Sequence, residues 1–410
     1  MPLRVAHLSD IHYAPETLKE VDRCFTFAVD AAIDEKCEAG ILSGDLFDHK
    51  VDLHTPAVNA VLTQVRRLAD AMPVLILQGT YSHDAPGSLD VFKHVGGRFP
   101  VHVADRIEQV SLYRDEKQHL HWRASENWLF ERILADTLLL VSCLPSINKG
   151  EVAAKLESVG DAATAVGDAV FELMQGWAPN NLQARSAGIP TIVTSHGTVS
   201  GCVTEHGCPM SGLDHEFSTG SLFAAEASAV MLGHIHAHQE WEQDGRRIAY
   251  PGSVGRLHFG EMQDKGLLIW DVAADRADAE FIVTPAKALL QADFDGAPDM
   301  AELATLSKTA EGAHVRVRYQ IDEEFRSTVD KRAIEKLFMD AGAEVCKVEG
   351  RINPIQRSRA SGMNKAVTLA DKVKKWGEVT ETEAGPLVER LAILESKDTD
   401  QIVADVVGDA

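Results

Sequence analysis

Cysteine, aromatic side chains and positive charge are all scarce in this 410-residue sequence. Six cysteines are too few for a disulfide framework, so the composition predicts a reduced, cytoplasmic protein. Lysine and arginine total 40 against 62 acidic residues, and the net charge of −22 excludes a surface that is basic as a whole. A local basic groove, or a site where bound metal ions supply positive charge, is compatible with that balance.

Long hydrophobic runs are also missing. No stretch of about 18 apolar residues occurs, so no membrane-spanning helix is expected. The first five residues lack the apolar core of a signal peptide. The composition, 45% hydrophobic and 25% charged, is that of a folded globular protein, and the length predicts two or three domains.

Short apolar segments with the length of buried strands alternate with helical stretches, such as those at 17–35 and 56–71. The segments lie at 3–8, 39–42, 74–77, 138–141, 191–194 and 230–232. This alternation predicts a layered α/β domain.

The pattern changes after about residue 285, where half-exposed strands and helices predict a small second α/β domain at 286–350. A polar helical tail follows at 351–410, with short helices at 366–376 and 387–394. Leu387, Leu391 and Leu394 share one helix face, which packs on its own protein or docks on a partner. The basic stretch 351–375 either contacts a DNA backbone or is a solvated linker.

Histidine or aspartate follows five of the predicted strands directly. The residues are Asp10 and His12, Asp45 and Asp48, His83 and Asp84, His196, and His234 and His236. One such strand end would be unremarkable, since a lone histidine in a turn is more often only hydrogen bonded. Five together, at one edge of a sheet, predict a functional site beyond the carboxyl ends of the strands.

Carboxylates mixed with imidazoles suit Mn, Fe or Zn better than Mg or Ca. Side chains alternate along a strand, so each Asp-x-His or His-x-His pair points to the same side. Six or seven ligands are too many for one ion that keeps an open position, so the set predicts two ions roughly 3.5–4 Å apart, with Asp45 able to bridge them.

These motifs resemble the calcineurin-like metallophosphoesterase superfamily, whose signature runs Asp-x-His, Gly-Asp-x-x-Asp, Gly-Asn-His-Asp, a lone His, then Gly-His-x-His. More narrowly, the chain resembles the nuclease subunits of SbcCD-type complexes. That resemblance rests on His196 after a long helical insertion at 150–188, and on Tyr-Pro-Gly-Ser at 250–253 followed by Phe-Gly-Glu at 259–261. It implies an α/β fold built as a β-sandwich flanked by helices, with a small α/β capping domain and a helical tail.

The resemblance also implies a role for each site residue. The first metal would be held by Asp10, His12, Asp45 and His236, and the second by Asp45, His196, His234 and a residue of the third motif. His83 would face the leaving group or scissile phosphate with Asp84 orienting its ring, and Asp48 would support the site from beside it.

The third motif departs from the family pattern. It reads Gly-Thr-Tyr-Ser-His-Asp at 79–84, so two residues are inserted and the asparagine ligand is missing. Ser82 precedes His83 as the asparagine would, and we predict it as the replacement ligand, with Thr80 as the alternative.

The resemblance implies a metal-dependent DNA nuclease, a 3′–5′ exonuclease with endonuclease activity, that processes double-strand breaks. It also implies two divalent ions (Mn, with Mg, Fe or Zn as alternatives), a coiled-coil ATPase of the SbcC type as partner, and a homodimer. A phosphodiesterase for small nucleotides or a protein phosphatase is the alternative on the same fold. A third possibility is a metal-binding subunit whose catalysis is lost through the altered motif.

A second group of metal-binding residue types lies in one loop, at Cys202, His206, Cys208 and His215. Their spacing matches no standard zinc pattern, and loops collect such residues by chance. The sequence leaves both interpretations open.

Overall fold

The computed structural model describes residues 2–50, 52, 54–147, 159–203, 216–354 and 363–407. The chain divides into two compact units. The first comprises Met1–Gln291, Lys308–Arg316 and Phe338–Cys346, and the second comprises Ala292–Ser307, Val317–Leu337 and Lys347–Ala410.

Strands make up most of the first unit. In chain order they are β1 (Leu3–Leu8), β2 (Ala39–Leu42), β3 (Val74–Leu77), β4 (Val101–Ala104), β5 (Glu108–Arg114), β6 (Leu120–Ala124), β7 (Thr137–Leu144), β8 (Thr191–His196), β9 (Thr198–Val199), β10 (Glu216–Phe217), β11 (Ala229–Gly233), β12 (Gln239–Gln243), β13 (Arg246–Tyr250), β14 (Gly266–Val272) and β15 (Ala277–Val283). The α-helices are α1 (Leu18–Asp34), α2 (Pro56–Ala71), α3 (Val159–Ser186) and α4 (Thr219–Phe223).

Two large sheets form from these strands. Among the described residues, one sheet has the order β15-β14-β1-β2-β3-β4 and the other has the order β12-β13-β11-β8-β7-β5-β6. In the first sheet β1 to β4 run parallel to one another, and β14 is antiparallel to β1. In the second, β7, β8, β11 and β13 are parallel. The carboxyl ends of the parallel strands carry the predicted site residues.

The sheets pack face to face and helices cover their outer faces. Side chains such as Leu75 from the first sheet and Met231 from the second share one buried core. The other face of the first sheet packs against α1 and α2, and that of the second packs against α3 and α4. The predicted fold class, an α/β β-sandwich flanked by helices, is confirmed.

Helix α1 shows why the sequence folds in this way. Val21, Phe25, Ala28 and Ala32 recur at helical spacing and are fully buried. Each large apolar side chain buried in this manner contributes about 1.5–3 kcal/mol. The polar side chains of α1 lie on the opposite face, so only one orientation of the helix on the sheet buries the apolar stripe.

Two features of this unit differ from the sequence-based prediction. Strands β4, β5 and β6 were not predicted, because the β5–β6 segment alternates charged with apolar residues and resembles a surface loop. The site residues also come from two sheets, not from one edge of a single sheet. Strands β1 to β3 belong to the first sheet, whereas β8 and β11 belong to the second.

The remaining elements follow β15. They are β16 (Leu289–Asp295), α5 (Met300–Leu306), β17 (His314–Asp322), α6 (Lys331–Asp340), β18 (Val345–Asn353), α7 (Leu369–Thr380), α8 (Gly385–Ser396) and α9 (Thr399–Val407). The three strands form a sheet with β17 in the centre. The predicted tail helices are α7 and α8, each longer than expected, and α9 was not predicted. Within the described part of the chain, no helix combines the length and apolarity needed to cross a bilayer.

Candidate metal centre

The loops that follow β1 and β2 are tied together by their backbones. The amide N–H groups of Ile11 and His12 both donate to the carbonyl oxygen of Asp45, at 2.9 and 3.0 Å. Asp10, His12 and Asp45 have φ values of 51°, 55° and 53°, a region that non-glycine residues rarely adopt. Backbone strain of this kind costs on the order of 1–3 kcal/mol per residue and clusters at functional sites.

Gly233 lets the end of β11 approach this pair of loops closely. A Cβ at that position would lie 2.2 Å from Ser9 Oγ and 2.3 Å from the carbonyl oxygen of Ser43. Only glycine fits such contacts. The following residue, His234, has a φ of 103° and donates its backbone N–H to both carboxylate oxygens of Asp10 at 3.0 Å. The second sheet is therefore fixed directly against the loops of the first.

One group of ligand atoms comes from Asp10, His12 and His236, whose donor atoms lie within 4.8 Å of one another. His236 Nδ1 is 2.8 Å from Glu261 Oε1, so we assign the ring proton to Nδ1 and a lone pair to Nε2. His12 Nδ1 lies 3.4 Å from a carboxylate oxygen of Asp48 without forming a hydrogen bond. The Nε2 atoms of His12 and His236 face each other at 3.1 Å. At this distance the two rings either share one proton or both face a common cation.

The second group comes from Asp45, His196 and His234. His196 Nδ1 donates to the carbonyl oxygen of Ser43 at 2.7 Å, and Nε2 lies 3.2 Å from Asp45 Oδ2. Burial alone lowers the pKa of His196, but the Asp45 carboxylate overrides it and raises the pKa to about 9. Burial likewise opposes the charge on Asp45, yet His196 holds the pKa of that carboxyl well below its usual range. Positive charge at this position therefore stabilises Asp45, supplied either by the protonated His196 ring or by a metal ion that displaces its proton.

These residues fit two divalent cations. Both groups offer nitrogen and oxygen donors, which suit Mn, Fe or Zn. In each group a ring nitrogen is held by a hydrogen-bond partner on its other side, as is typical of metal-binding histidine. Asp45 Oδ2 lies 3.9 Å from His12 Nε2 as well as 3.2 Å from His196 Nε2, so its carboxylate is placed between the groups.

Thr80, and not Ser82, lies beside the second group. Thr80 Oγ1 is 3.2 Å from Asp45 Oδ2 and 3.2 Å from His196 Nε2, and its backbone N–H donates to Asp45 Oδ1 at 2.6 Å. Ser82 is exposed in the following turn. Thr80, which directly follows Gly79, therefore lies in the position that the sequence predicted for Ser82.

His83 and Asp48 lie together at the edge of the first group, but Asp84 has a different role from the predicted one. His83 Nδ1 donates to the backbone oxygen of Asp48, so Asp48 orients the ring that Asp84 was expected to orient. Asp84 instead accepts backbone N–H groups from the loops after β2 and β3, including Leu46 at 3.2 Å and Gly79 at 3.1 Å. Burial, together with the charge of Asp45, raises the pKa of Asp84 to about 7.

Glu261 is a site residue that sequence reasoning did not single out, although it ends the Phe-Gly-Glu segment. It is fully buried, accepts from His236 and lies 3.2 Å from the buried ammonium group of Lys265. Burial opposes its charge, but His236 and Lys265 lower its pKa to about 2. A permanent carboxylate therefore fixes the orientation of His236 from behind.

The possible zinc loop falls largely outside the described residues. Cys202 is buried, whereas His206, Cys208 and His215 belong to the segment 204–215 that the structure does not describe.

No model of a known protein family matches this chain. A stretch of 94 residues is 36% identical to the DNA double-strand break repair protein Mre11 of Aeropyrum pernix, covering 21% of this chain and 22% of that protein. This chain thus matches about a fifth of the length of that relative. A crystal structure of a dimetal phosphatase from Danio rerio aligns with 68% of this chain and 99% of its own, at 9% identity and a TM-score of 0.37.

Proposed function

We propose that this chain is a two-metal phosphodiester hydrolase that cleaves DNA. The observation that carries the proposal is the pair of neighbouring ligand groups, Asp10 with His12 and His236, and Asp45 with His196 and His234. Two bound divalent ions would neutralise the charge of a phosphodiester and lower the pKa of water. In this proposal Asp10, His12 and His236 hold one ion, and the Asp45 group with Thr80 holds the other.

His83 is proposed to act on the substrate and not on a metal. Its Nδ1 proton is committed to the backbone of Asp48, which leaves Nε2 as the reactive position. Protonated there, the ring would donate to a non-bridging oxygen or to the leaving oxygen of the scissile phosphate. General acid–base roles of this kind contribute about 10²–10⁴-fold.

DNA is proposed as the substrate because of the partial likeness to a protein named for double-strand break repair. The resemblance of the sequence motifs to SbcCD-type nuclease subunits supports the same choice. A 3′–5′ exonuclease with endonuclease activity and manganese as the metal are the corresponding finer proposals.

Cleavage of linear duplex DNA by the full chain, with Mn²⁺, Mg²⁺ or excess chelator, tests the function. We expect chelation to abolish cleavage and Asp45→Asn to reduce it by at least about 100-fold, because the carboxylate between the ligand groups loses its charge. Asp136→Asn is the matched control, since that exposed carboxylate pairs only with Arg123 in the contacts described. Hydrolysis of p-nitrophenyl phosphate without DNA cleavage would replace the proposal with a phosphatase.

The tail supports a proposal about assembly, namely docking on a coiled-coil ATPase of the SbcC type. Helices α7 and α8 enclose an apolar groove of about 580 Å³. Leu369, Trp376, Leu387 and Leu394 line it, and each is more than a third exposed. Leucine-rich grooves of this kind accept an apolar helix face.

Co-purification with a candidate ATPase tests this docking. Leu387→Glu with Leu394→Glu should abolish it, because a charge buried in an apolar contact is strongly unfavourable. Ala392→Glu places the same charge on α8 outside the groove and should leave it unchanged. If the double variant and Ala392→Glu bind the ATPase equally well, the groove is not the docking surface. Light scattering of the chain alone tests the proposed homodimer.

A further inference from the structure

A further group of potential metal ligands lies outside the site described above, on the β5–β6 hairpin. Asp115, His119 and His121 bring three ligand atoms within 4.8 Å of one another. Asp115 opens the turn, His119 directly precedes β6 and His121 is the second residue of β6, two residues further on.

The turn fixes the carboxylate of Asp115. Its Oδ1 accepts the backbone N–H groups of Lys117 and His119, at 2.9 and 2.8 Å. The backbone N–H of Asp115 donates to the carbonyl oxygen of His119 at 2.9 Å, and Gln118 closes the turn with a φ of 69°. Because Oδ1 is committed to the backbone, only Oδ2 points toward the imidazoles.

The separations within the group fit a shared ion. Asp115 Oδ2 is 3.2 Å from His121 Nε2 and 3.5 Å from His119 Nδ1. Charge-assisted hydrogen bonds between such groups are usually about 2.7–2.9 Å long. Tetrahedral zinc with ligands at about 2.1 Å places neighbouring ligand atoms about 3.4 Å apart. Both observed distances are close to the second value, and the shorter one is also within the range of an N–H···O hydrogen bond, which a bound ion would replace.

We propose that Asp115, His119 and His121 form a Zn²⁺ site with an open fourth position. Two imidazoles and one carboxylate are a common zinc ligand set when solvent or a substrate supplies the fourth ligand. Both histidines line a cleft of about 960 Å³. His121 is supported from behind by the ring of Tyr113, 5.6 Å away, over which the guanidinium of Arg123 lies.

Equilibrium dialysis of the chelator-stripped full chain against Zn²⁺ alone tests the site. His121→Ala and Asp115→Asn should each bind one equivalent fewer than the unaltered chain, or bind it at least about 100-fold more weakly. His94→Ala removes another histidine of the same unit and should leave the stoichiometry unchanged. Circular dichroism checks the fold, and two different ligand variants guard against a folding defect in either one.

The result of this zinc-binding experiment does not depend on whether the chain cleaves DNA. In an Asp45→Asn background the hairpin equivalent should persist and remain sensitive to His121→Ala. Anomalous diffraction at the zinc edge should then show a peak among the three side chains. If both ligand variants bind as much zinc as His94→Ala, the hairpin is not a zinc site, whatever the result at the catalytic group.

Discussion

At the scale of single residues, the chemistry of the site depends on which atom of each polar side chain already forms a hydrogen bond. His196 donates to Ser43, His236 to Glu261 and His83 to Asp48, so the orientation of each ring is fixed by its Nδ1 atom and its Nε2 atom faces the site. Such partners raise the affinity of metal ligands because they fix the tautomer before the ion arrives. The ligand types were predictable from the sequence. Their partners were not, because two of them are backbone carbonyls and the third, Glu261, is brought to His236 by the tertiary fold.

The third motif gives the first residue-scale prediction. Thr80→Val keeps the shape of the side chain and removes only the hydroxyl, so affinity for one of two metal ions should fall by about 10–100-fold. Ser82→Ala, its matched control in the exposed turn, should leave both affinities unchanged. Calorimetric titration of Mn²⁺ into each variant measures this. Weaker binding by Ser82→Ala alone would restore the original assignment of Ser82.

Glu261 and Lys265 give the second residue-scale prediction. Both side chains are fully buried and paired at 3.2 Å, so Glu261→Gln leaves a buried ammonium without its countercharge. Loss of one member of such a pair costs about 3–5 kcal/mol. Urea denaturation should show this loss, and Lys265→Met combined with Glu261→Gln should recover much of it. A double variant as unstable as the sum of the two single variants would show that the pair is not coupled.

At the scale of elements, the sequence predicts what is periodic or apolar and misses what depends on tertiary contact. Strands β1 to β3 and helix α2 were predicted with their observed bounds, because buried parallel strands are continuous apolar runs between helices. The β5–β6 hairpin was missed, since its short strands mix polar with apolar residues as a loop does, and the burial of β5 depends on its pairing with β7. The sequence also did not predict that the site residues come from two sheets, because the sheet to which a strand belongs depends on its pairing with distant segments.

Gly233 gives a prediction at the level of elements, because it joins the two sheets at the site. Gly233→Ala would force Cβ into Ser9 and Ser43, so the end of β11 must move away from Asp10. Overpacking of this kind costs about 1–3 kcal/mol or more, and the metal stoichiometry should fall with it. Gly167→Ala is the control, because it lies in α3 with open space around it and should stabilise by up to about 1 kcal/mol. Denaturation measures the stability of each variant, and metal titration measures its stoichiometry. Unchanged metal binding by Gly233→Ala would contradict the proposed role of Gly233 in joining the sheets at the site.

At the scale of the whole molecule, charge and proposed substrate oppose each other. A net charge of −22 repels a DNA backbone, and two bound divalent ions offset only a small part of it. A DNA-cleaving site on such a chain therefore needs help, either from a local basic segment or from a partner that supplies the cationic surface. We therefore propose that a partner docked in the apolar groove of the tail helps to hold the DNA substrate.

The last prediction follows from that opposition. With chelator present to prevent cleavage, the chain alone should bind duplex DNA no more tightly than about 10 μM, within the range of non-specific binding. The logarithm of affinity should fall with the logarithm of salt concentration with a slope shallower than about −3, because few phosphates are contacted. Adding the coiled-coil ATPase should steepen the slope and tighten binding, and the Leu387→Glu, Leu394→Glu variant should abolish that gain while Ala392→Glu keeps it. Fluorescence anisotropy across a salt series measures all of these. A slope of about −6 or steeper for the chain alone would mean that it carries its own basic groove and that a partner is not needed to hold DNA.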